Sequence, residues 1–263
     1  MSASLPPVTL TTDFGRTDHY VAQMKGVILG LAPQAAIVDV THEIPPQDIR
    51  RAAFLIADLA EAFPPGTVHV AVVDPGVGSD RAILAVSAGG QFYIAPDNGL
   101  LTLVLQRHGD ADVVQIANAA YRRRKVTSTF HGRDVMAPAA AHLLNGLPLR
   151  ELGERLERSP VQLEGMTPIV CGERIEACVA WIDRFGHLVT NVDAGLIRRI
   201  EPGRVRAKLG THTVSQWRGY YAESPRRTSA AAHRQLRPSR NRRQRRQRGR
   251  TIPSRSRNDG HCR

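Results

Sequence analysis

Short apolar runs alternate with helical patterns through the first half of the chain. Apolar residues recur at helical spacing over residues 17–31 and 47–63, and a third helix is predicted at 134–145. Thr17 would cap the first of these helices. Alternating strands and helices favour a largely parallel sheet covered by helices. The six strands are predicted at residues 8–12, 36–40, 67–73, 82–87, 92–95 and 112–116.

The pattern changes after the third helix. Alternating strands are predicted at 174–183 and 187–192, joined by a tight turn through Arg184, Phe185 and Gly186. The fold class is therefore α/β, with a helix-covered sheet domain over residues 1–168 and a smaller all-β, barrel-like domain over 169–225. Strand-like sequence stops near residue 222, so we expect the second domain to be incomplete.

Composition narrows the class of protein. With 263 residues, 42% hydrophobic and 23% charged, the chain fits a water-soluble globular protein. No apolar run of about 18 residues is present to span a membrane. Cys171, Cys178 and Cys262 lack the spacing of metal ligands and suit a reducing compartment. With no export signal in the pattern, we expect a cytoplasmic protein without a metal site.

The net charge of +12 comes from one segment. Residues 226–263 hold 14 arginines and one acidic residue, Asp259, and carry +13, whereas residues 1–225 carry −1. The segment has almost no hydrophobic content, so it cannot bury enough apolar surface to offset its ordering entropy, and we expect it to be disordered. An arginine-rich tail that binds phosphates of RNA or DNA is one function to weigh, but few aromatic residues are present to stack on bases.

Polar residues follow several strands, at the position where open α/β sheets bind ligands. Asp13 follows the first strand and would either accept ribose hydroxyls or brace an Asx turn. Asp74 and Arg81 flank the glycine-rich loop VVDPGVGSDR, as a structural ion pair or as part of a site. That loop lacks the lysine and Ser/Thr of a nucleotide-binding P-loop. His131 and Gly132 precede a helix, and a lone histidine is more often structural than catalytic.

Six segments in order resemble one family. They are TTDFGRTDHYVAQMKGVI, VDVTHEIPPQDI, AVVDPGVGSDR, APDNGLLT, STFHGRDVMAPAAA and IDRFGHLVTN. Together they are similar to the S-adenosyl-L-methionine (SAM) hydrolases, also called SAM hydroxide adenosyltransferases, which are relatives of the fluorinating and chlorinating enzymes. The resemblance covers residues 8 to about 222. It implies hydrolysis of SAM at the ribose 5′ carbon to adenosine and methionine, with SAM as substrate and no cofactor, in a homotrimer with sites between subunits.

The same resemblance assigns roles to individual residues. Asp74, Arg81 and His131 correspond to the set that holds and activates water: Asp74 and His131 would accept from it, and Arg81 would aim Asp74. Asp13 corresponds to the acceptor of the ribose hydroxyls, and Asp183 to the carboxylate that meets the methionine ammonium group. Fluorinating relatives have Tyr in place of Asp74 and Ser in place of Gly132. Since an anionic Asp74 would repel a halide, the resemblance favours hydrolysis over the alternative, a SAM-dependent halogenase.

Two departures from the family pattern stand out. His187 replaces the usual Asn that contacts adenosine, and a His ring offers fewer combined donors and acceptors than an amide. Past YAESP the chain turns arginine-rich, whereas the family continues with a strand and an SSGxLEIA-type segment. A shifted reading of the codons for residues 235–248 permits that segment, which indicates a frameshift near residues 225–227. We therefore expect little or no hydrolysis by the chain as written.

Overall fold

The computed structural model describes residues 5–197, 206–214, 217–218 and 231–232. The chain divides into two compact units, Met1–Met166 and Thr167–Arg263. The expected disorder of residues 226–263 lies outside the described residues, apart from Ala231 and Ala232.

A six-stranded sheet forms the centre of the first unit, in the order β2-β1-β3-β5-β4-β6. Strands β1, β2, β3 and β5 run parallel, whereas β4 runs antiparallel to both of its neighbours, β5 and β6. The residues of the four inner strands, β1, β3, β4 and β5, are mostly buried on both faces, which explains their near-continuous apolar runs, whereas the edge strands β2 and β6 are more exposed. The strands are β1 (Val8–Thr12), β2 (Ile37–Thr41), β3 (Val68–Val72), β4 (Ile83–Ala88), β5 (Gln91–Pro96) and β6 (Asp112–Gln115).

Helices connect and cover the strands. The first, α1 (Tyr20–Leu31), is preceded by His19 as N-cap, so the expectation of Thr17 in that role is wrong. The second, α2 (Ile49–Leu59), is capped by Asp48, whose side chain accepts from the backbone N–H of Arg51 at 2.9 Å. A short helix that the sequence pattern did not predict, α3 (Thr102–Arg107), follows β5. Helix α4 (Ala137–Leu144) continues directly from a π-helical turn over Gly132–Met136.

The largest apolar core lies between the sheet and the helices α1 and α4. It joins the buried faces of β1 and β3 to Met24 and Ile28 of α1 and to the alanines of α4. These small α4 side chains allow α1 and α4 to pack closely against each other. The core therefore fixes the ends of β1 and β3 relative to the start of the π-helical turn.

The second unit contains short strands in separate two-stranded ladders. The first ladder pairs β7 (Ile169–Cys171) with β8 (Arg174–Glu176), and the second pairs β9 (Val179–Ile182) with β10 (Leu188–Thr190). The strand predicted over 174–183 is thus divided between β8 and β9. The remaining elements are α5 (Ala194–Ile197), β11 (Ala207–Leu209), β12 (His212–Val214), β13 (Trp217–Arg218) and β14 (Ala231–Ala232).

The predicted fold class is confirmed. A largely parallel sheet flanked by helices is followed by a small β-rich unit, in which β11 pairs antiparallel with β12 and β13 pairs parallel with β14. Closure of the second unit into a barrel stays a prediction.

Candidate active site

Chain direction places the polar residues of the first unit at one edge of the sheet. The parallel strands β1, β3 and β5 all end at this edge, and Asp13, Asp74 and Asn98 follow them. Because β4 is antiparallel to β5, it begins at the same edge, just after Arg81. Because β4 begins at this edge, Arg81 lies next to Asp74 at the end of β3.

Asp74 and Arg81 form a two-pronged ion pair. Nε of Arg81 donates to Oδ1 of Asp74 at 2.7 Å, and Nη2 donates to Oδ2. The two side chains are only 5% and 10% exposed. A bidentate guanidinium–carboxylate pair with so little solvent has a fixed orientation, so Arg81 holds both oxygens of Asp74 in place.

His131 is bound to the same guanidinium. Nη2 of Arg81 lies 3.0 Å from Nδ1 of His131. Since a guanidinium has only donors, Nδ1 accepts this hydrogen bond, and the proton of the neutral ring is on Nε2. Burial and then the Arg81 charge lower the pKa of His131 below its usual value of 6.5, against opposing effects of Asp74 and Asp134. The ring is therefore neutral at pH 7 and presents an N–H donor at Nε2.

Two glycines permit this arrangement. Gly78 has a φ of +84°, and a Cβ at this position would clash with the carbonyl oxygen of Ser128, so the loop carrying Arg81 packs closely on the loop before His131. Gly132 is buried, and a Cβ there would lie 3.3 Å from Sδ of Met24 and 3.4 Å from the methyl groups of Val72. A larger residue at position 132 would have to displace these core side chains.

A buried network next to His131 was not predicted from the sequence, although Arg133 and Asp134 lie in the STFHGRDV segment and Thr127 directly precedes it. Oδ1 of Asp134 accepts from Nε of Arg133 at 2.7 Å, and Oδ2 accepts from the backbone N–H and the hydroxyl of Thr127 at 2.9 and 2.7 Å. Burial alone would raise the pKa of the fully buried Asp134, but Arg133 and Thr127 together lower it to about 2. The network spans the π-helical turn and fixes the backbone that carries His131.

Asn98 was also missed as a site residue. Its side-chain amide donates to the carbonyl oxygen of Val73 at 2.9 Å, one residue before Asp74. The signal was present in APDNGLLT, because an Asn directly after a buried strand is a frequent turn residue with side-chain bonds to the backbone. Here it links the end of β5 to the end of β3.

Asp13 lies on the neighbouring loop. Its Oδ2 accepts from the backbone N–H of Gln47 at 2.9 Å. The next residue, Phe14, makes an edge-to-face contact with Phe130, the residue before His131, with ring centroids 5.8 Å apart. The structure thus places the Asp13 loop against the loop that carries His131.

The remaining candidates, Asp183 and His187, belong to the second unit and pair with each other. Oδ1 of Asp183 accepts from the backbone N–H groups of Phe185 and His187 at 2.8 and 2.9 Å, and Oδ2 lies 2.9 Å from Nδ1 of His187. Desolvation opposes the change, but these bonds lower the pKa of Asp183 below its usual 3.8. Nδ1 of His187 is therefore engaged in a contact with Asp183.

In the described ranges, no group of three or more His, Cys, Asp or Glu side chains is arranged to hold a metal ion. Likewise, none of the helices in those ranges is both long and apolar enough to cross a membrane.

Comparison with known proteins identifies the family. The model of the SAM hydroxide adenosyltransferase N-terminal domain matches residues 8–153. The (R)-S-adenosyl-L-methionine hydrolase of Salinispora arenicola is 40% identical over 201 residues, which are 75% of this chain and 76% of that protein. A fluorinase of an Actinoplanes species is 32% identical over 213 residues, 71% of this chain and 72% of the relative.

A solved structure agrees with this assignment. The crystal structure of an uncharacterized conserved protein from Thermotoga maritima superposes with a TM-score of 0.74 at 37% identity, covering 78% of this chain and 80% of that one. The chain belongs to the SAM hydroxide adenosyltransferase family, and the resemblance found in the six sequence segments is confirmed.

Proposed function

We propose that the protein hydrolyses S-adenosyl-L-methionine to adenosine and L-methionine, with Asp74, Arg81 and His131 as its catalytic residues. The observation that carries the proposal is the fixed Asp74–Arg81–His131 arrangement at the edge where the parallel strands end. The membership of the family and the hydrolase name of the relative at 40% identity support the same reaction.

In this reaction an oxygen of water forms a bond to the ribose 5′ carbon. The C5′–S bond breaks, and its electron pair goes to the sulfur, which leaves as the neutral thioether of methionine. A sulfonium is already a good leaving group, so the protein's main task is to hold the water in line with the C5′–S bond. The proton that water loses passes to Asp74 and then to solvent.

The geometry divides the work between Asp74 and His131. Arg81 already donates to Nδ1 of His131, so this nitrogen does not accept a hydrogen bond from water. This differs from the acceptor role that the family resemblance implied for His131. The N–H at Nε2 instead donates to the water oxygen and orients a lone pair toward carbon. Asp74 is then the acceptor, and Arg81 fixes both partners at once.

Substrate contacts outside this set remain part of the proposal. Asp13 would accept the ribose hydroxyls, and Gly132, which follows His131, would belong to the substrate-binding residues. Asp183 would meet the methionine ammonium group, and His187, held by Asp183, would stand beside the adenosine moiety. The site would be completed in a homotrimer, as the family resemblance implies. Cysteines without metal-ligand spacing favour a reducing, cytoplasmic location.

The second candidate is SAM-dependent halogenation, which the 32% identical fluorinase favours. Two observations argue against it. Position 74 carries a carboxylate that would lie beside a halide, and position 132 offers no hydroxyl donor and is closely packed.

One experiment tests both functions. The chain as written is compared with a frame-restored chain, in which residues after about 225 are read in the frame that yields the SSGxLEIA-type segment. Incubated with SAM, the frame-restored chain should release adenosine and methionine without added metal or halide, and the chain as written should release little or none.

A requirement for halide with formation of a 5′-halo-adenosine would identify a halogenase. Loss of activity on chelation would contradict the proposed chemistry, and equal turnover by the two chains would show that the tail is irrelevant.

A further inference from the structure

The loops that follow β1 and β2 are joined by hydrogen bonds around Asp13. His42 supplies two of them, one from its ring and one from its backbone carbonyl. The four bonds are Thr12 Oγ1 to His42 Nδ1 at 2.9 Å, Gly15 N to His42 O at 2.8 Å, Ile44 N to Thr12 O at 3.4 Å and Gln47 N to Asp13 Oδ2 at 2.9 Å.

His42 is only 4% exposed, and its ring has polar neighbours on two sides. Nε2 lies 3.1 Å from Oδ1 of Asp39, and Oδ2 of Asp39 accepts from Lys25 at 2.6 Å. The approach of Nε2 to Asp39 lacks hydrogen-bond geometry and leaves this buried nitrogen without a hydrogen-bond partner among the described residues. The ring is therefore held through Nδ1, which is hydrogen-bonded to the hydroxyl of Thr12. Polar side chains thus lie next to one another from the surface pair Lys25–Asp39 through His42 to Thr12, the residue before Asp13.

The partner of Asp13 has an unusual backbone conformation. Gln47 has a φ of +66° and is the single non-glycine residue with positive φ among the residues that the structure describes. Such a conformation persists only where the surroundings hold it. Here it points the N–H of Gln47 at Oδ2 of Asp13. The hydrogen bonds of His42 to Thr12 and Gly15 join the loop after β2, which carries Gln47, to the loop after β1, which carries Asp13.

We propose that His42 is a positioning residue for Asp13. It does not touch the substrate; it fixes the two loops so that the Asp13 carboxylate faces the ribose hydroxyls. This rests on the proposed function, in which Asp13 accepts those hydroxyls. Loss of the His42 ring should therefore weaken substrate binding and lower the preference for ribose over 2′-deoxyribose, while turnover at saturation changes less.

The kinetic arm uses the frame-restored chain with SAM and with its 2′-deoxyribose analogue. His42→Ala and Thr12→Val each remove the ring-to-hydroxyl bond. Each should raise KM for SAM roughly tenfold and lower the ribose preference by a similar factor, because the hydrogen bonds from the ribose hydroxyls to the Asp13 carboxylate would be weakened and hydrogen bonds to a charged group are worth about one to two orders of magnitude. His42→Asn places an amide oxygen near the former Nδ1 and should restore most of both. The preference for ribose is a property that general destabilisation does not change.

Thr9→Val is the matched control. It removes a similar buried bond in the same strand, from Thr9 Oγ1 to Nδ1 of His69 at 2.8 Å, without touching the Asp13 loop. It should lower the unfolding free energy as Thr12→Val does but leave KM and ribose preference unchanged. An equal effect of Thr9→Val on both quantities would reduce His42 to a purely structural role.

The second experiment measures hydrogen exchange and does not require enzymatic activity. Amide hydrogen exchange on the full chain as written should be faster at Gln47 and Gly15 in His42→Ala and unchanged there in Thr9→Val. If folded His42→Ala keeps the exchange rates, KM and ribose preference of the parent, the inference is wrong. If the unsubstituted frame-restored chain does not hydrolyse SAM, the proposed function and the ribose part of the inference fail, and exchange alone decides whether His42 positions Asp13.

Discussion

Nη2 of Arg81 donates to Nδ1 of His131 at 3.0 Å. This bond fixes the ring tautomer, because the guanidinium can only donate. The same guanidinium binds both oxygens of Asp74. One cation thus sets the orientation of both the Asp74 carboxylate and the His131 ring.

Replacement of Asp74 should affect turnover far more than binding. Asp74→Ala removes the acceptor of the water proton, so kcat should fall roughly 100- to 10,000-fold while KM for SAM changes little. Asp80→Ala is the control, because Asp80 is exposed in the same loop. Steady-state kinetics of both frame-restored variants measure the difference. Equal changes in kcat and KM would assign Asp74 to binding instead.

The acid limb of the pH profile should report His131. Burial and Arg81 lower its pKa, so the neutral ring persists below the usual histidine value of 6.5. We expect the midpoint of the His131-dependent fall in kcat/KM to lie below pH 6.5, as the ring gains a proton that faces Arg81. His131→Gln, whose amide can donate from near the Nε2 position, should keep part of the activity and lose this component of the limb. A His131-dependent loss with its midpoint above pH 6.5 would contradict the assignment.

The network next to His131 should contribute strongly to stability. Asp134→Asn leaves the partly exposed Arg133 guanidinium without its carboxylate and puts an amide donor among the buried partners of Asp134, and such a change costs about 1–3 kcal/mol. Asp112→Asn is the control, because the Asp112–Arg150 pair is exposed to solvent and should contribute less than about 1 kcal/mol. Urea unfolding gives both values. Similar values for the two variants would show that the buried network is not a major source of stability.

Acid should destabilise the first unit through His69. Burial lowers the pKa of His69 to about 4, although its bond to Gln91 opposes this. Because the pKa of His69 is lower in the folded state, its contribution to the unfolding free energy is complete above about pH 6.5 and is lost as pH falls through 4. Between pH 7 and pH 5 the unfolding free energy should drop by about 2 kcal/mol from this group. His69→Gln should lack this component, and an unchanged pH dependence in that variant would show that His69 is not its source.

The buried strands could be predicted from the sequence because apolar runs such as Val68–Val72 are needed wherever both faces of a sheet are covered. The reversed direction of β4 could not, since pairing partners are not encoded in local periodicity. The start of α1 was misplaced because Thr17, a good capping residue, lies three residues before the helix.

The residues proposed to activate water, Asp74, Arg81 and His131, were identified through the family resemblance. Their bonding pattern was not, because the contact between Arg81 and His131 joins positions 50 residues apart. The hydrogen bonds of His42 to Thr12 and Gly15 could not be predicted for the same reason, since they depend on how two loops lie against each other. His187 was expected beside adenosine, and its bond to Asp183 became visible only in three dimensions.

Hydrolysis in ¹⁸O-labelled water tests the central claim most directly. If water attacks the ribose 5′ carbon in the site formed by Asp74, Arg81 and His131, the frame-restored chain should place ¹⁸O in the 5′-hydroxyl of adenosine, with none in methionine. The label should appear at the same position, at a far lower rate, in Asp74→Ala. Unlabelled adenosine, a label in methionine, or a 5′-halo-adenosine as the main product when halide is present would contradict the account.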